Sequence, residues 1–337
     1  MSDQVPALVA EGVSVEFGRG RRRLRAVSDV SLAVEPGKTL AIVGESGSGK
    51  STVARAMAGL VPLHSGRVSL LGETFARPSR AQRRNIQMVF QDPFSSLDPS
   101  SSVGSSLAEP LIVHERMSRV DRSRRIAELL DDVGLPRDSA RRYPHEFSGG
   151  QRQRIAIARA IATHPKVLLL DEAVSALDVS TQNQILVLLN DLQARYGLAY
   201  VFISHNLGVV RWIADETLVM YMGHVVERGP TERVHTSPEH PYTKALIAAM
   251  PIADPSKRDL RARVLISGEA PDQFAKPKGC IFASRCRDVT DACTSVPPIP
   301  TPLTSGGAVA CHLTAPELAL AGAPDRAADL TLTTEKS

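Results

Sequence analysis

From Leu8 to Val226 the chain alternates short apolar runs with stretches of helical period. The segments Ala7–Phe17, Val30–Val34, Leu40–Val43, Arg67–Leu71, Ile86–Phe90, Val167–Leu170, Ala199–Ile203 and Thr217–Tyr221 predict strands. Several are apolar throughout rather than alternating, as expected of strands covered on both faces. Gln182–Leu192 reads as a helix. Between Pro99 and Ile161 the strand signal disappears, and the pieces Arg119–Val133 and Gln151–Ile161 are helical in period. The pattern therefore predicts an α/β fold with a helical subdomain (about 92–163) inserted between the strands at Ile86 and Val167.

After Gly229 the texture changes. His240–Met250, HPYTKALIAAM, predicts a short helix with proline near its start. Beyond Pro251 the chain is rich in Pro, Gly and Ser, and from Thr314 it is Ala-rich and expected to be poorly ordered. These shifts divide the sequence into a domain over 1–250 and an extension over 251–337. No internal repeat is present, so there is one copy of the core.

Length and composition narrow the class. The 337 residues suit about two domains at roughly 150 residues each. Apolar residues make up 43% and charged residues 23%, which excludes a wholly disordered chain. The longest apolar runs fall far short of the roughly 18 residues of a helical membrane span. The first residues, MSDQVPALVAEG, have neither the basic nor the apolar part of a secretory signal, so the expected location is cytoplasmic. Net charge is +4, but Arg19, Arg21, Arg22, Arg23 and Arg25 carry that excess. The rest is close to neutral, which speaks against a nucleic-acid partner. The arginine run reads as a solvated loop, or as a contact for anionic headgroups or phosphates.

Three motifs carry chemistry. Gly44-Glu-Ser46-Gly47-Ser-Gly49-Lys50-Ser51 lies between a predicted strand and a helix that continues through Thr52. In that context the pattern is a phosphate cradle. Glycines let the backbone N–H groups curl toward a phosphate, and the helix N-terminus adds positive potential. Lys50 reaches the β- and γ-phosphates, and the Ser51 hydroxyl can ligate Mg²⁺. Asp171 and Glu172 end the apolar run from Val167. Asp171 suits the Mg²⁺ shell, and Glu172 can polarise an attacking water. Finally, Ser148-Gly149-Gly150-Gln151 opens another predicted helix, a second anion-binding geometry in one chain.

That second cradle resembles the signature loop of ABC-type ATPases, with Phe147 where the family has Leu. The resemblance implies a P-loop core, a mixed sheet with flanking helices. It also implies that two ATPase subunits pair head to tail, each ATP lying between one chain's phosphate loop and the other's signature loop. By resemblance, Ser148, Gly149, Gly150 and Gln151 contact ATP held by a partner. Gln91 becomes the switch glutamine that senses Mg²⁺ and water. Asp178 lies in the loop crossing the dimer interface. His205 is the switch histidine on the γ-phosphate, and Phe17 the aromatic that stacks on adenine. Ala173 and Asn206 depart from the family's Pro and Asp without removing a catalytic group.

Three segments are similar to the ATPase subunits of bacterial dipeptide and oligopeptide importers, and more to the second of the two unlike subunits. They are Ile86–Leu111, Glu227–Met250 and the cysteine-containing tail. This resemblance implies a motor peripheral to the cytoplasmic face of the cell membrane. Its implied partners are two membrane-spanning permease subunits and a second ATPase, unlike or identical. An extracytoplasmic solute-binding protein completes the system, and related systems carry nickel or glutathione. A soluble ABC ATPase of repair or ribosomes is the competing reading, but it usually has two cassettes or a long coiled coil. An exporter motor is a third.

All four cysteines, Cys280, Cys286, Cys293 and Cys311, lie in the extension. That distribution is wrong for a disulfide-stapled domain, and the spacing is not the paired C-x-x-C of zinc ribbons. Four thiolates suit Zn²⁺ or a [4Fe–4S] cluster, with free thiols as the remaining option. By resemblance to peptide-importer tails, the iron–sulfur cluster is expected, clamping a segment with little core of its own.

Overall fold

A computed structural model describes residues 5–18, 23–92, 97–250 and 278–314. Arg19, Arg21 and Arg22 of the arginine run, and nearly all of the Ala-rich end, lie outside the described residues.

The strands are β1 (Leu8–Phe17), β2 (Leu24–Val34), β3 (Thr39–Val43), β4 (Ser65–Leu70), β5 (Glu73–Phe75) and β6 (Ile86–Val89). They continue as β7 (Val167–Asp171), β8 (Ala199–Ile203), β9 (Glu216–Tyr221), β10 (His224–Pro230), β11 (Thr301–Pro302) and β12 (Ala308–Val309). The helices are α1 (Lys50–Met57), α2 (Arg80–Asn85), α3 (Val103–His114), α4 (Arg119–Asp132) and α5 (Gly149–Ile161). After them come α6 (Val179–Tyr196), α7 (Leu207–Ile213), α8 (Thr231–Thr236), α9 (Pro241–Ala248) and α10 (Asp291–Ser295).

One sheet is antiparallel, in the order β2-β1-β4-β5. The other runs β11-β12-β10-β9-β3-β8-β7-β6. Its strands β9, β3, β8, β7 and β6 are mutually parallel, and β10, β12 and β11 extend it antiparallel. The result is the expected mixed α/β architecture.

Strand periodicity explains how the core splits. Every residue of β3, β7 and β8 is buried, because both faces of this sheet are covered. Alternate residues serve different cores. Ala41, Leu168, Leu170, Tyr200 and Phe202 pack with Leu107, Leu129, Leu130 and Ile155 of the helices between β6 and β7. Their neighbours Leu40, Ile42, Leu169, Val201 and Ile203 pack with α1 and the antiparallel sheet, through Val53, Met57, Val13 and Val27.

β5, β10, β11 and β12 were not predicted and β2 starts early; for β2 and β10 the physical reason is clear. β2 begins at Leu24 rather than Val30: Arg25, Ser28 and Asp29 interrupt the apolar run, and the strand still pairs with β1 on both sides of an irregularity at Ser28 and Asp29. β10 contains Glu227, Arg228, Gly229 and Pro230, a poor strand sequence. Glu227 is nevertheless fully buried there. Its carboxylate pairs with Arg233 and accepts the backbone N–H groups of Glu239 (3.0 Å) and His240 (2.9 Å). In the helical stretch, α3 carries Pro110 in its interior, a residue that opposes a helical reading of the sequence.

Candidate active site

The loop joining β3 to α1 depends on glycine at two points. Gly44 has φ +151°, and a Cβ there lies 2.2 Å from the Met220 carbonyl oxygen. Gly49 has φ +101°, and its Cβ lies 2.4 Å from the Ala26 carbonyl oxygen. Only a residue without a side chain permits both approaches.

The loop wraps the ammonium of Lys50, which is 4% exposed. Lys50 Nζ donates to the carbonyl oxygens of Gly44 (2.9 Å) and Glu45 (2.7 Å) and to Ser48 Oγ (3.4 Å). Burial lowers the Lys50 pKa, and the carboxylates of Glu172, Asp171 and Glu45 oppose that shift.

The acids stand where the parallel strands end. Ser51 Oγ donates to Asp171 Oδ1 at 2.6 Å, and Arg55 lies 3.9 Å from Oδ2. Burial raises the Asp171 pKa against the lowering effect of the Ser51 hydrogen bond. This hydroxyl–carboxylate pair offers hard oxygen donors, which fits Mg²⁺. Glu172 adopts φ +49°, a left-handed conformation uncommon for a non-glycine residue and often found at functional sites. That turn presents its carboxylate to groups from two neighbouring strand ends. Gln91 Nε2 donates to Glu172 Oε2 at 3.1 Å, and His205 Nδ1 lies 3.4 Å from the same oxygen.

Phe17, Ser46, Gly47, Gly49, Lys50, Ser51, Thr52, Gln91, Glu172 and His205 line one cavity of about 760 Å³. Gly44 and Asp171 stand immediately behind that lining. Arg25, from the arginine run, completes the wall together with Leu24, Ala26, Met222 and Gly223, which the sequence pattern did not single out. They are brought there by the close approach of Gly223 to Ala26, where an added Cβ lies 2.8 Å from the Ala26 carbonyl. Such a contact leaves no local sequence signal. Arg25 is not free to act as a lone cation: its guanidinium binds Glu16 at 2.8 and 3.0 Å.

Ser148, Gly149, Gly150, Gln151 and Asp178 are not in this cavity's lining. Ser148 caps α5: its Oγ accepts the Gln151 N–H (3.3 Å), and Gln151 Oε1 accepts the Ser148 N–H (3.0 Å). Asp178 caps α6, accepting the Thr181 N–H (3.0 Å) and hydroxyl (2.7 Å), which hold its carboxyl below the usual range. Gly150 packs on Thr181, where an added Cβ lies 2.3 Å from Cγ2. The two loops thus form one unit, built separately from the phosphate loop.

The structure does not support the metal expectation at the cysteines. All four are unpaired. Among the described residues no group of three or more His, Cys, Asp or Glu is arranged to hold a metal ion. Instead, Cys280 N–H donates to the Cys293 carbonyl at 2.7 Å, and Cys293 Sγ lies 3.3 Å from Thr290 Oγ1. Burial pushes the Cys280 thiol up to about 11 and raises Cys286 and Cys311 as well. The extension is held by its own backbone and by packing, with Phe282 buried beside Tyr221 and Tyr242.

Comparison with known proteins bears on this geometry. Residues 27–175 match the ABC transporter family, and residues 226–293 match the oligopeptide/dipeptide transporter C-terminal region. The chain is 47% identical to the di/tripeptide transport ATP-binding protein DppF of Pseudomonas aeruginosa over 306 residues, covering 89% of this chain and 93% of that one. It is 46% identical to the oligopeptide transport ATP-binding protein OppF of Escherichia coli over 288 residues, covering 84% and 86%. Its fold matches a dimeric post-hydrolysis state of the ATP-binding cassette MJ0796 bound to ADP and Pi. That match has a TM-score of 0.61 and 30% identity, over 66% of this chain and 98% of that one. With phosphate loop, strand-end acids and C-terminal region all in place, the chain belongs to the ABC transporter ATPases that carry the oligopeptide/dipeptide transporter C-terminal region.

Proposed function

We propose that this chain is the ATP-hydrolysing motor subunit of an importer of dipeptides or oligopeptides. One observation carries the reading. Relatives named for di/tripeptide and oligopeptide transport align over nearly their whole length, and the chain presents the phosphate loop and strand-end acids in one cavity. A relative from Pectobacterium atrosepticum is named for glutathione import, at 51% identity over 76% of this chain but only 41% of that one, so it weighs less.

In this reading Lys50 leaves the carbonyls of Gly44 and Glu45 to bind the β- and γ-phosphates, and the loop N–H groups hold the same oxygens. Phe17, a cavity-lining residue that is 42% exposed, stacks on adenine. Ser51, Asp171 and Gln91 would hold Mg²⁺, which when bound neutralises charge on the phosphate oxygens. Glu172 orients and deprotonates water, and His205 stabilises the γ-phosphate. Ser148, Gly149, Gly150, Gln151 and Asp178 serve the partner's nucleotide, which accounts for their building as a unit outside this cavity.

The motor's other partners are two permease subunits, with an extracytoplasmic solute-binding protein in the full system. It acts from the cytoplasmic side of the membrane. No helix among the described residues is long and apolar enough to cross a membrane. A groove of about 490 Å³, lined by Leu60, Phe90 and Val113 but also by Arg83, Glu109 and Arg159, would receive a permease segment with both apolar and polar groups. The second ATPase is an unlike subunit, with self-pairing as the alternative. A pull-down of Glu172→Gln with ATP from mildly solubilised native membranes tests this. Recovery of two multispan subunits and a second ATPase is expected. Recovery of soluble partners alone overturns the importer reading.

A further inference from the structure

Of the residues between Gly44 and Gly49 in the phosphate loop, only Glu45 is acidic. Its carboxylate is outside the cavity lining but close enough to act on the Lys50 ammonium, and in the proposed reading its negative charge works against a bound triphosphate. The structure shows how that charge is met. Arg285, in the C-terminal extension, donates from Nη1 to Glu45 Oε2 (2.9 Å) and from Nη2 to Oε1 (3.3 Å). This is the two-pronged fork that a guanidinium makes with a carboxylate.

The other two polar handles of Glu45 are also occupied. Its N–H donates to Tyr242 Oη at 2.8 Å, and its carbonyl accepts from Lys50 Nζ at 2.7 Å. Two of the three partners therefore lie beyond β10, in α9 and in the extension. An aromatic cluster seats them. Tyr221 and Tyr242 have ring centroids 4.7 Å apart, and Phe282 stands edge-on to Tyr221 at 5.3 Å. The Arg285 side chain is 9% exposed, lies 5.8 Å from the Tyr221 ring centroid and donates to Tyr221 Oη at 3.2 Å. A guanidinium so enclosed is not a mobile surface group making a chance contact.

We infer that the C-terminal extension is part of the ATP site: Arg285 is a positioning residue that neutralises Glu45 and, with Tyr242, fixes the Glu45 carbonyl from which Lys50 is released to the phosphates. This rests on the ATPase reading of the cavity and adds a role for the extension within it. It also gives the extension a purpose that needs no metal. The tail is held to the sheet edge through β12, and its folded part delivers one arginine to the phosphate loop.

The test is a charge cycle on the full-length chain, read as equilibrium binding of MgATP by calorimetry. Arg285→Gln leaves the Glu45 carboxylate uncompensated, and affinity falls by roughly tenfold. Adding Glu45→Gln removes the offending charge and recovers most of the loss. Arg285→Lys keeps the charge without the fork and falls between the two. In turnover by the assembled transporter, the loss appears in KM more than in kcat. A purely structural role predicts a different pattern: a lowered melting temperature, no rescue by the second substitution, and equal loss in both constants. Unchanged MgATP affinity in Arg285→Gln, or strictly additive losses in the double variant, overturns the inference. If Arg285→Gln does not fold, Arg285→Lys with and without Glu45→Gln supplies the same comparison. Lys50→Ala separates the two readings: loss of binding there, with Arg285→Gln binding normally, rejects the clamp and leaves the ATPase assignment standing.

Discussion

Replacing Glu172 by Gln separates binding from chemistry. In the wild type one oxygen, Oε2, receives Gln91 Nε2 at 3.1 Å and faces His205 Nδ1 at 3.4 Å. The side chain is 17% exposed, so it is neither buried in a fixed core nor loose in solvent. A glutamine is nearly the same shape, and its amide oxygen can keep the Gln91 hydrogen bond. What it cannot do is accept a proton from water. Losing a positioned general base costs about 10²–10⁴ in rate. That corresponds to about 2.7–5.4 kcal/mol on the barrier, at 1.36 kcal/mol per factor of ten. Nucleotide affinity is expected to stay within about threefold, because Lys50, Ser51 and the loop N–H groups are untouched. The assay is release of radiolabelled γ-phosphate in single turnover by the assembled transporter, alongside retention of bound ATP. Turnover within about threefold of wild type, with normal affinity, refutes Glu172 as the base. A parallel loss of affinity refutes the argument differently, by showing that the substitution disturbs the cavity.

Two further predictions concern the scaffold behind the phosphate loop. His240 is 1% exposed, its Nδ1 accepts the Tyr242 N–H at 3.1 Å, and burial pushes its pKa from 6.5 down to about 4. The unfolded chain takes up this proton near pH 6.5 and the folded chain only near pH 4, so stability falls as pH drops through that window, by about 3 kcal/mol at its end. His240→Asn keeps an acceptor at the helix start and should flatten the melting-temperature profile between those limits; an unchanged profile rejects the assignment. Glu227→Ala strands Arg233 and two backbone N–H groups in the core, at about 3–5 kcal/mol. Calorimetry should show melting lowered by at least about 6 °C, and a shift under about 2 °C refutes the argument.

The parts of the site legible in the sequence are those whose chemistry is contiguous. Gly44 to Ser51 is one segment between a strand and a helix, and Asp171-Glu172 ends another strand. Ser148 to Gln151 is legible for the same reason, and its capping box is a local motif. β2 was not legible at its full length and β10 was not legible at all, because charged residues interrupt the apolar pattern. The charges in β2 lie at exposed positions, and the buried one in β10, Glu227, is tolerated through Arg233, a partner the pattern cannot show. The cysteines mark the opposite limit. Their spacing places four thiols in one segment, but whether sulfur atoms converge depends on the fold. Here the backbone of Cys280 and Cys293 is paired, Cys293 and Cys311 are buried, and no metal-holding arrangement of these side chains is present among the described residues. The Arg285–Glu45 contact spans 240 residues of sequence, and no motif connects its ends.

The state of Lys50 ties these observations together. Its ammonium donates to three acceptors of its own loop, the carbonyls of Gly44 and Glu45 and the Ser48 hydroxyl. Nucleotide binding must exchange those acceptors for phosphate oxygens, and the carbonyls of Gly44 and Glu45 then lose their donor. A loop held only by Lys50 would rearrange at that moment. This loop is not held only by Lys50: the Glu45 N–H stays on Tyr242 and its carboxylate on Arg285. The exchange therefore moves one ammonium group rather than the whole loop, and less ordering remains to oppose binding. The anchoring side chains come from α9 and the C-terminal extension. On this argument the extension belongs to the energetics of the nucleotide site, and truncating it should weaken ATP binding even though it lies outside the cavity.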